Sequence, residues 1–265
     1  MDIVIIGWIV VFCVALVALV KGADWLLMSA ERIGLWWGLS PFIVGVVITG
    51  LGTSFPEFIS SVFAVLAGAP NIVPANAIGS NIANIFLVIG ISALVGKRLS
   101  VTKSLIDLDI PLLAASTVLF VGVAFDGVIT PIESGMLFAA FIVYFIYTFT
   151  HQDETEADEL ASSQNQNTTE VVTKPKITTI DFFFLFAGLV GLALGAKYLI
   201  DSVIELSQIF NIATGVIALI AIAIGTSLPE LLVSAKAALR GQSEVSLGNI
   251  FGSNVFNLLF VVGIP

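Results

Sequence analysis

The sequence predicts an all-α polytopic membrane protein, an inverted-topology repeat of five-helix halves whose second half is incomplete. Three observations lead there. The 265 residues are 58% hydrophobic and only 11% charged, whereas soluble domains hold about 25% charged residues. Apolar stretches long enough to cross a bilayer, which takes about 20 residues, recur along the whole chain. Two motifs near residues 52 and 76 also return later at one constant offset, 226 − 53 = 173.

The expected spans are 3–21 (extending towards 32), 39–67, 73–95, 107–125 and 131–150, then 179–205, 211–240 and 244–265. A β-barrel would show short alternating segments instead of these continuous apolar runs. The first span follows Met1-Asp2, which lacks the basic stretch that opens a signal peptide, so it is expected to be retained. Residues 1–150 form the first transmembrane repeat and 177–265 the second. Between them, 151–176 runs His-Gln-Asp-Glu-Thr-Glu-Ala-Asp-Glu and then through Ser, Gln, Asn and Thr. Such a segment buries too little apolar surface to order itself and is expected to be an acidic, flexible cytoplasmic linker. It lacks the ligand spacing of an EF-hand loop.

Several classes drop out. Cys13 is the single cysteine, so no intrachain disulfide forms, and one His with one Cys excludes most zinc sites. A net charge of −9 does not suit nucleic acid.

The basic residues are lopsided. With the N-terminus outside, inner loops hold Arg32, Lys97, Arg98, Lys103, Lys174, Lys176 and Arg240, and Lys236 snorkels to the same side. The outer loops 68–72, 126–131 and 206–210 hold none. This follows the positive-inside rule. Lys21, near an inner end, is ambiguous, and Lys197, near an outer end, is the exception; it could pair with Asp201, one helical turn on.

The motifs carry the chemistry. Gly52-Thr53-Ser54-Phe55-Pro56-Glu57 returns as Gly225-Thr226-Ser227-Leu228-Pro229-Glu230. Asn76-Ala77-Ile78-Gly79-Ser80-Asn81-Ile82-Ala83-Asn84 returns as Asn249-Ile250-Phe251-Gly252-Ser253-Asn254-Val255-Phe256-Asn257. The match reaches upstream too: Gly22-Ala23 with Gly195-Ala196, Leu26 with Leu199, and Ser29 with Ser202. Five spans separate the copies, so the halves cross the membrane in opposite directions, and such repeats place their ion site at the midplane between them.

Glu57 and Glu230 are the acids expected deep within spans. An acid at the bilayer centre costs about 2.5–3.5 kcal/mol on insertion scales, which normally marks function. Each follows a proline, so the carbonyls of Gly52 and Gly225 lose their helical partner; freed carbonyls at such breaks hold cations. Thr53, Ser54, Thr226 and Ser227 bring hydroxyls to the breaks, either as ligands or bonded back to the preceding turn. Ser80 and Asn84, like Ser253 and Asn257, share a helix face at a spacing of four. Asn81 and Asn254 point elsewhere and serve packing or backbone bonds, as do Asn76 and Asn249. Gly79 and Gly252 permit close helix approach. Carboxylates, hydroxyls and amides without thiolate or imidazole disfavour copper and zinc and suit Ca²⁺, which takes six to eight oxygens at about 2.3–2.6 Å. The same oxygens could hold Na⁺ after Ca²⁺ leaves, which permits exchange.

G-T-S-x-P-E followed by G-S-N-x-x-N, once in each half, resembles the cation/calcium antiporter family, and within it the bacterial and archaeal sodium/calcium exchangers. The resemblance implies a ten-helix fold with ions between helices 2, 3, 7 and 8, and long helices 1 and 6 that slide past this core. By motif position it implies ligand roles for Thr53, Ser54, Glu57, Ser80, Thr226, Ser227, Glu230 and Ser253. It adds main-chain oxygens at Gly50 and Ala223 in place of the carbonyls of Gly52 and Gly225, with Asn84 and Asn257 at the remaining polar positions. Some relatives, including potassium-dependent members, carry Asp where this chain has Asn257, which argues against potassium co-transport here. Pro265 aligns with Ser92 (265 − 173 = 92), so about eight of ten helices are expected, without second-half counterparts of helices 4 and 5.

The expected function is secondary active antiport of Ca²⁺ against Na⁺ by alternating access in a prokaryotic inner (plasma) membrane. Ca²⁺/H⁺ exchange is the alternative, because two close carboxyls titrate as a pair. The partners are Ca²⁺, Na⁺ and the lipid bilayer, with no prosthetic group and no nucleic acid. Enzymatic activity is not expected: an intramembrane aspartyl protease needs Asp on facing helices, and both acids here are Glu after Pro. A channel would need no counter-ion.

Overall fold

The computed structural model describes residues 2–66, 68, 70–101, 109–150, 176–210 and 227–264. Most of those residues are helical, with no strand among them. Among the described residues, five helices are long and apolar enough to cross a membrane: Val4–Trp37, Pro41–Leu66, Val73–Gly96, Pro131–Thr150 and Thr179–Leu206.

Helix α1 (Asp2–Trp37) runs 36 residues, about 54 Å at 1.5 Å per residue. It outlasts the expected span because nothing breaks it before Gly38, which takes φ 78° and ends it in the left-handed cap conformation. The second span is not one regular helix. Ser40 caps α2 (Pro41–Ile43) by accepting from Ile43 N–H. A π-helical stretch, Val44–Gly50, follows, then α3 (Leu51–Thr53), a turn at Ser54, and α4 (Phe55–Leu66). The third span is α5 (Ile72–Ala83), a π-helical stretch Asn84–Val88, and α6 (Ile89–Gly96). Then come α7 (Ile110–Val123) and α8 (Pro131–Thr150). The expected linker, except Lys176, lies outside the described residues.

The second half opens with α9 (Thr179–Ile209), whose first turn is closed by a capping box. Thr178 N–H and Oγ1 donate to Asp181 Oδ2 at 2.8 and 2.9 Å, which satisfies otherwise orphaned end groups. The expected span 211–240 is described only from Ser227, as α10 (Leu228–Leu239); α11 (Ser243–Val255) then passes into a π-helical stretch, Phe256–Val261. Ser246, Asn249, Ser253 and Asn254 of α11 are all buried. A helix enclosed by protein can carry such a polar face, whereas one facing lipid cannot.

Three packing relations place the site. First, α1 and α9 pack backbone to backbone and antiparallel. A Cβ on Gly22 would stand 2.9 Å from Gly188 O and Leu192 N, and one on Gly195 would stand 2.9 Å from Leu19 N and 3.0 Å from Ala15 O. Each set is the other shifted by 173 residues. Second, the stretch Val44–Gly50 lies directly on α11, where a Cβ on Gly252 would sit 2.8 Å from Val46 Cα and O. Gly79 makes no such approach among the described residues; its equivalent neighbour, 46 + 173 = 219, is outside them. Third, α8 meets the C-terminal π-helical stretch through Phe141, whose ring centroid lies 5.1 Å from Phe260, itself stacked on Phe256 at 4.5 Å.

Among the described residues, Arg32, Lys236 and Arg240 lie along the C-terminal half of α1. Asp24 bridges Lys236 at 2.8 Å and Arg240 at 2.7 Å, and Arg32 pairs with Asp181 at 2.9 Å. Lys236 thus lies beside Arg240 as expected. Lys197 does not pair with Asp201; it sits 5.0 Å from the Tyr198 ring centroid, a cation–π contact open to a lysine beside an aromatic face.

Candidate functional site

The site forms where α3, α4, α5, α10 and α11 converge. Ser54 and Ser227 occupy the two breaks with nearly the same backbone, φ −87°, ψ 1° and φ −89°, ψ 6°. This bridge conformation is sparsely populated and recurs at active sites. In both halves it precedes a short run through Pro into the helix that carries the glutamate.

Glu57 and Glu230 are each only 1% exposed. Ser54 Oγ donates to Glu230 Oε1 at 2.8 Å, so a first-half hydroxyl holds the second-half acid. Gly50 O gathers Ser54 N–H at 3.1 Å, Thr53 Oγ1 at 3.3 Å and Ser253 Oγ at 3.2 Å. A Cβ on Gly52 would meet Leu189 of α9. Thr53, Ser54, Ser80, Asn84, Ser227, Ser253 and Asn257 are all buried. Ala223, Gly225 and Thr226 lie outside the described residues.

The amides interlock across the halves. Asn84 Nδ2 donates to Asn254 Oδ1 at 3.0 Å, and Asn257 Nδ2 donates to Asn81 Oδ1 at 3.2 Å. The offset exchanges these two bonds, since 84 + 173 = 257 and 81 + 173 = 254. The π-helical stretches through Asn84 and Asn257 also end at equivalent residues, Val88 and Val261. Such stretches are rare and cluster at functional sites.

Five buried acceptor oxygens have no donor among the described residues: both of Glu57, Oε2 of Glu230, and Oδ1 of Asn84 and of Asn257. Buried polar atoms are normally satisfied, and unpaired buried carboxylates are costly. The Asn254 Nδ2 donor and the hydroxyls of Ser61, Ser92, Ser227 and Ser246 are also unpartnered among the described residues, but these five oxygens only accept and suit a hard cation. The residues present therefore fit a dehydrated cation.

One residue assigned only to packing or backbone bonds in the sequence is central. Asn249, fully buried, accepts from Thr53 Oγ1 at 3.2 Å and donates to Ser234 Oγ at 2.7 Å and Glu230 O at 3.3 Å. It joins both halves beside both motifs. Its repetition as Asn76 was the available signal, but its contacts span 196 residues to Thr53 and follow only from packing.

The chain matches the family described as Sodium/calcium exchanger protein over residues 7–150 and 180–265. It is 31% identical to the sodium/calcium exchanger MaX1 of Methanosarcina acetivorans, across 96% of this chain and 81% of that one. It is 30% identical to an inner membrane protein of Escherichia coli, across 95% and 77%. A solved structure of the sodium/calcium exchanger from Methanococcus jannaschii superposes with a TM-score of 0.80 at 31% identity, across 99% of this chain and 82% of that one. An all-helical membrane protein with a doubled motif and a buried oxygen site, this chain belongs to the sodium/calcium exchanger family.

Proposed function

We propose that the chain moves Ca²⁺ against Na⁺ by alternating access in a prokaryotic inner membrane, with its N-terminus outside. The carrying observation is the set of five undonated acceptor oxygens on Glu57, Glu230, Asn84 and Asn257. Two carboxylates balance one divalent charge, and neutral oxygens from Thr53, Ser54, Ser80, Ser227, Ser253 and the Gly50 carbonyl complete a flexible shell. Repeat equivalence adds Thr226 and the Ala223 carbonyl. Na⁺ accepts the same oxygens, so the ions compete for one site and the site crosses only when filled.

The two halves act as inverted repeats. Reciprocal contacts support this at two levels, the amide bonds of Asn84 and Asn257 and the antiparallel approach of Gly22 and Gly195. The α1–α9 pair slides against the core. The basic residues along the C-terminal half of α1 face the cytoplasm by the positive-inside rule.

The test is uptake of radiolabelled Ca²⁺ into liposomes holding the purified protein. Uptake driven by an outward Na⁺ gradient supports the reading. Uptake driven only by a pH gradient replaces it with Ca²⁺/H⁺ exchange, and rapid flux without any counter-ion rejects antiport.

A further inference from the structure

We propose that Asn81 is a positioning residue that decides which end of the Asn257 amide faces the cation. The inference rests on the reading of this pocket as a cation site. A primary amide carries an acceptor oxygen at one end and two donors at the other, and only the oxygen end serves a cation. The two ends have nearly the same shape, so a surrounding hydrogen-bond network must choose between them.

A backbone carbonyl makes the choice. Asn81 Nδ2 donates to the carbonyl of Asn254 at 2.9 Å. A carbonyl only accepts, so the nitrogen end of Asn81 is committed and its Oδ1 is left to receive. It receives Asn257 Nδ2 at 3.2 Å. With its nitrogen held there, Asn257 keeps Oδ1 on the other side, where nothing described donates to it. On the mirror side Asn84 Nδ2 donates to Asn254 Oδ1 at 3.0 Å, but Asn254 Nδ2 has no acceptor among the described residues, so that pair lacks the backbone anchor. Asn81, at 8% exposure, and Asn257, at 1%, are buried, so solvent does not supply substitute partners. The Asn254 carbonyl thus fixes Asn81, and Asn81 fixes Asn257. A flipped Asn257 would turn two N–H donors towards the cation and repel it.

The consequence is specific to amides. A carboxylate accepts at both ends, so Asp at 257 needs no such restraint. The experiment compares Asn81→Ala in two backgrounds, the native chain and Asn257→Asp, by Na⁺-driven Ca²⁺ flux in liposomes. In the native background the apparent KM for Ca²⁺ should rise about ten-fold or more, the scale expected when one charge-assisted bond is removed or reversed in sign. In the Asn257→Asp background the same change should alter KM by less than about two-fold. Equal ratios in both backgrounds would make Asn81 a packing residue and overturn the proposal. Should Asn81→Ala not give folded protein, the smaller change Asn81→Ser in the same two backgrounds decides by the same ratio. Glu57→Gln in parallel vesicles separates the two levels. Retained flux there removes the cation-site reading, whereas abolished flux with equal ratios removes only the amide orientation.

Discussion

Ser54 Oγ donates a 2.8 Å hydrogen bond to Glu230 Oε1, although the two residues stand 176 positions apart in different halves of the chain. The bond commits one oxygen of Glu230 and leaves the other undonated. It also means that neither half owns a complete site. The Glu230 carboxylate is held by a group that the first half supplies.

Ser54→Ala removes that donor and one candidate ligand. A hydrogen bond to a charged group is worth about 1.5–3 kcal/mol, so transport efficiency (Vmax/KM for Ca²⁺) should fall about ten- to a hundred-fold. Initial-rate uptake across a Ca²⁺ series checks this, and native-like rates would show the hydroxyl to be dispensable.

Glu57→Gln and Glu230→Gln each remove half the site charge. Ca²⁺ flux should be abolished in both, while yield and helix content by circular dichroism stay near native. Unfolding should make the distinction sharper. Ca²⁺ at a hundred times its Kd stabilises the native chain by about 2.7 kcal/mol, and this shift should vanish in both variants. Without Ca²⁺, Glu57→Gln should match or exceed the native melting temperature, because an unpaired buried charge is gone.

Asn249→Ala deletes three bonds at once, to Thr53, Ser234 and the Glu230 carbonyl. Each buried group left unpaired costs about 1–3 kcal/mol. The variant should melt earlier and transport slowly. Paired with Thr53→Val, it should show a coupling of about 0.5–3 kcal/mol in a double-mutant cycle on Ca²⁺ binding. Strict additivity would place Asn249 outside the site.

Gly22→Val and Gly195→Val each insert side-chain carbon where the facing backbone stands 2.9 Å from a Cβ position. Overpacking of this kind costs about 1–3 kcal/mol. The repeat relation predicts similar losses in the two variants, measured as thermal shift, together with slowed exchange because α1 and α9 no longer seat against one another. Unimpaired exchange in both would mean the close approach is incidental.

Much of this was legible without coordinates because hydropathy and repetition are local properties of the chain. Apolar runs of bilayer length marked five long helices, and the offset paired Ser54 with Ser227 before their matching dihedrals could be compared. Other features depend on where helices meet. The break in the second span was foreseen at Pro56, but its π-helical stretch over Val44–Gly50 belongs with backbone contact against α11. Lys197 met Tyr198 instead of Asp201 because a spacing of four permits a pair without requiring it.

By itself, then, the amino-acid order settled the helical membrane class and the self-similarity of the two halves, and it offered the residue types proposed for the site. Those follow from side-chain chemistry and from self-similarity along the chain. Tertiary packing alone decided which oxygens stay free. Asn84 and Asn254, or Ser54 and Glu230, meet through close helix approach across the two halves, and only that meeting determines which polar atoms are consumed by each other and which are left for an ion.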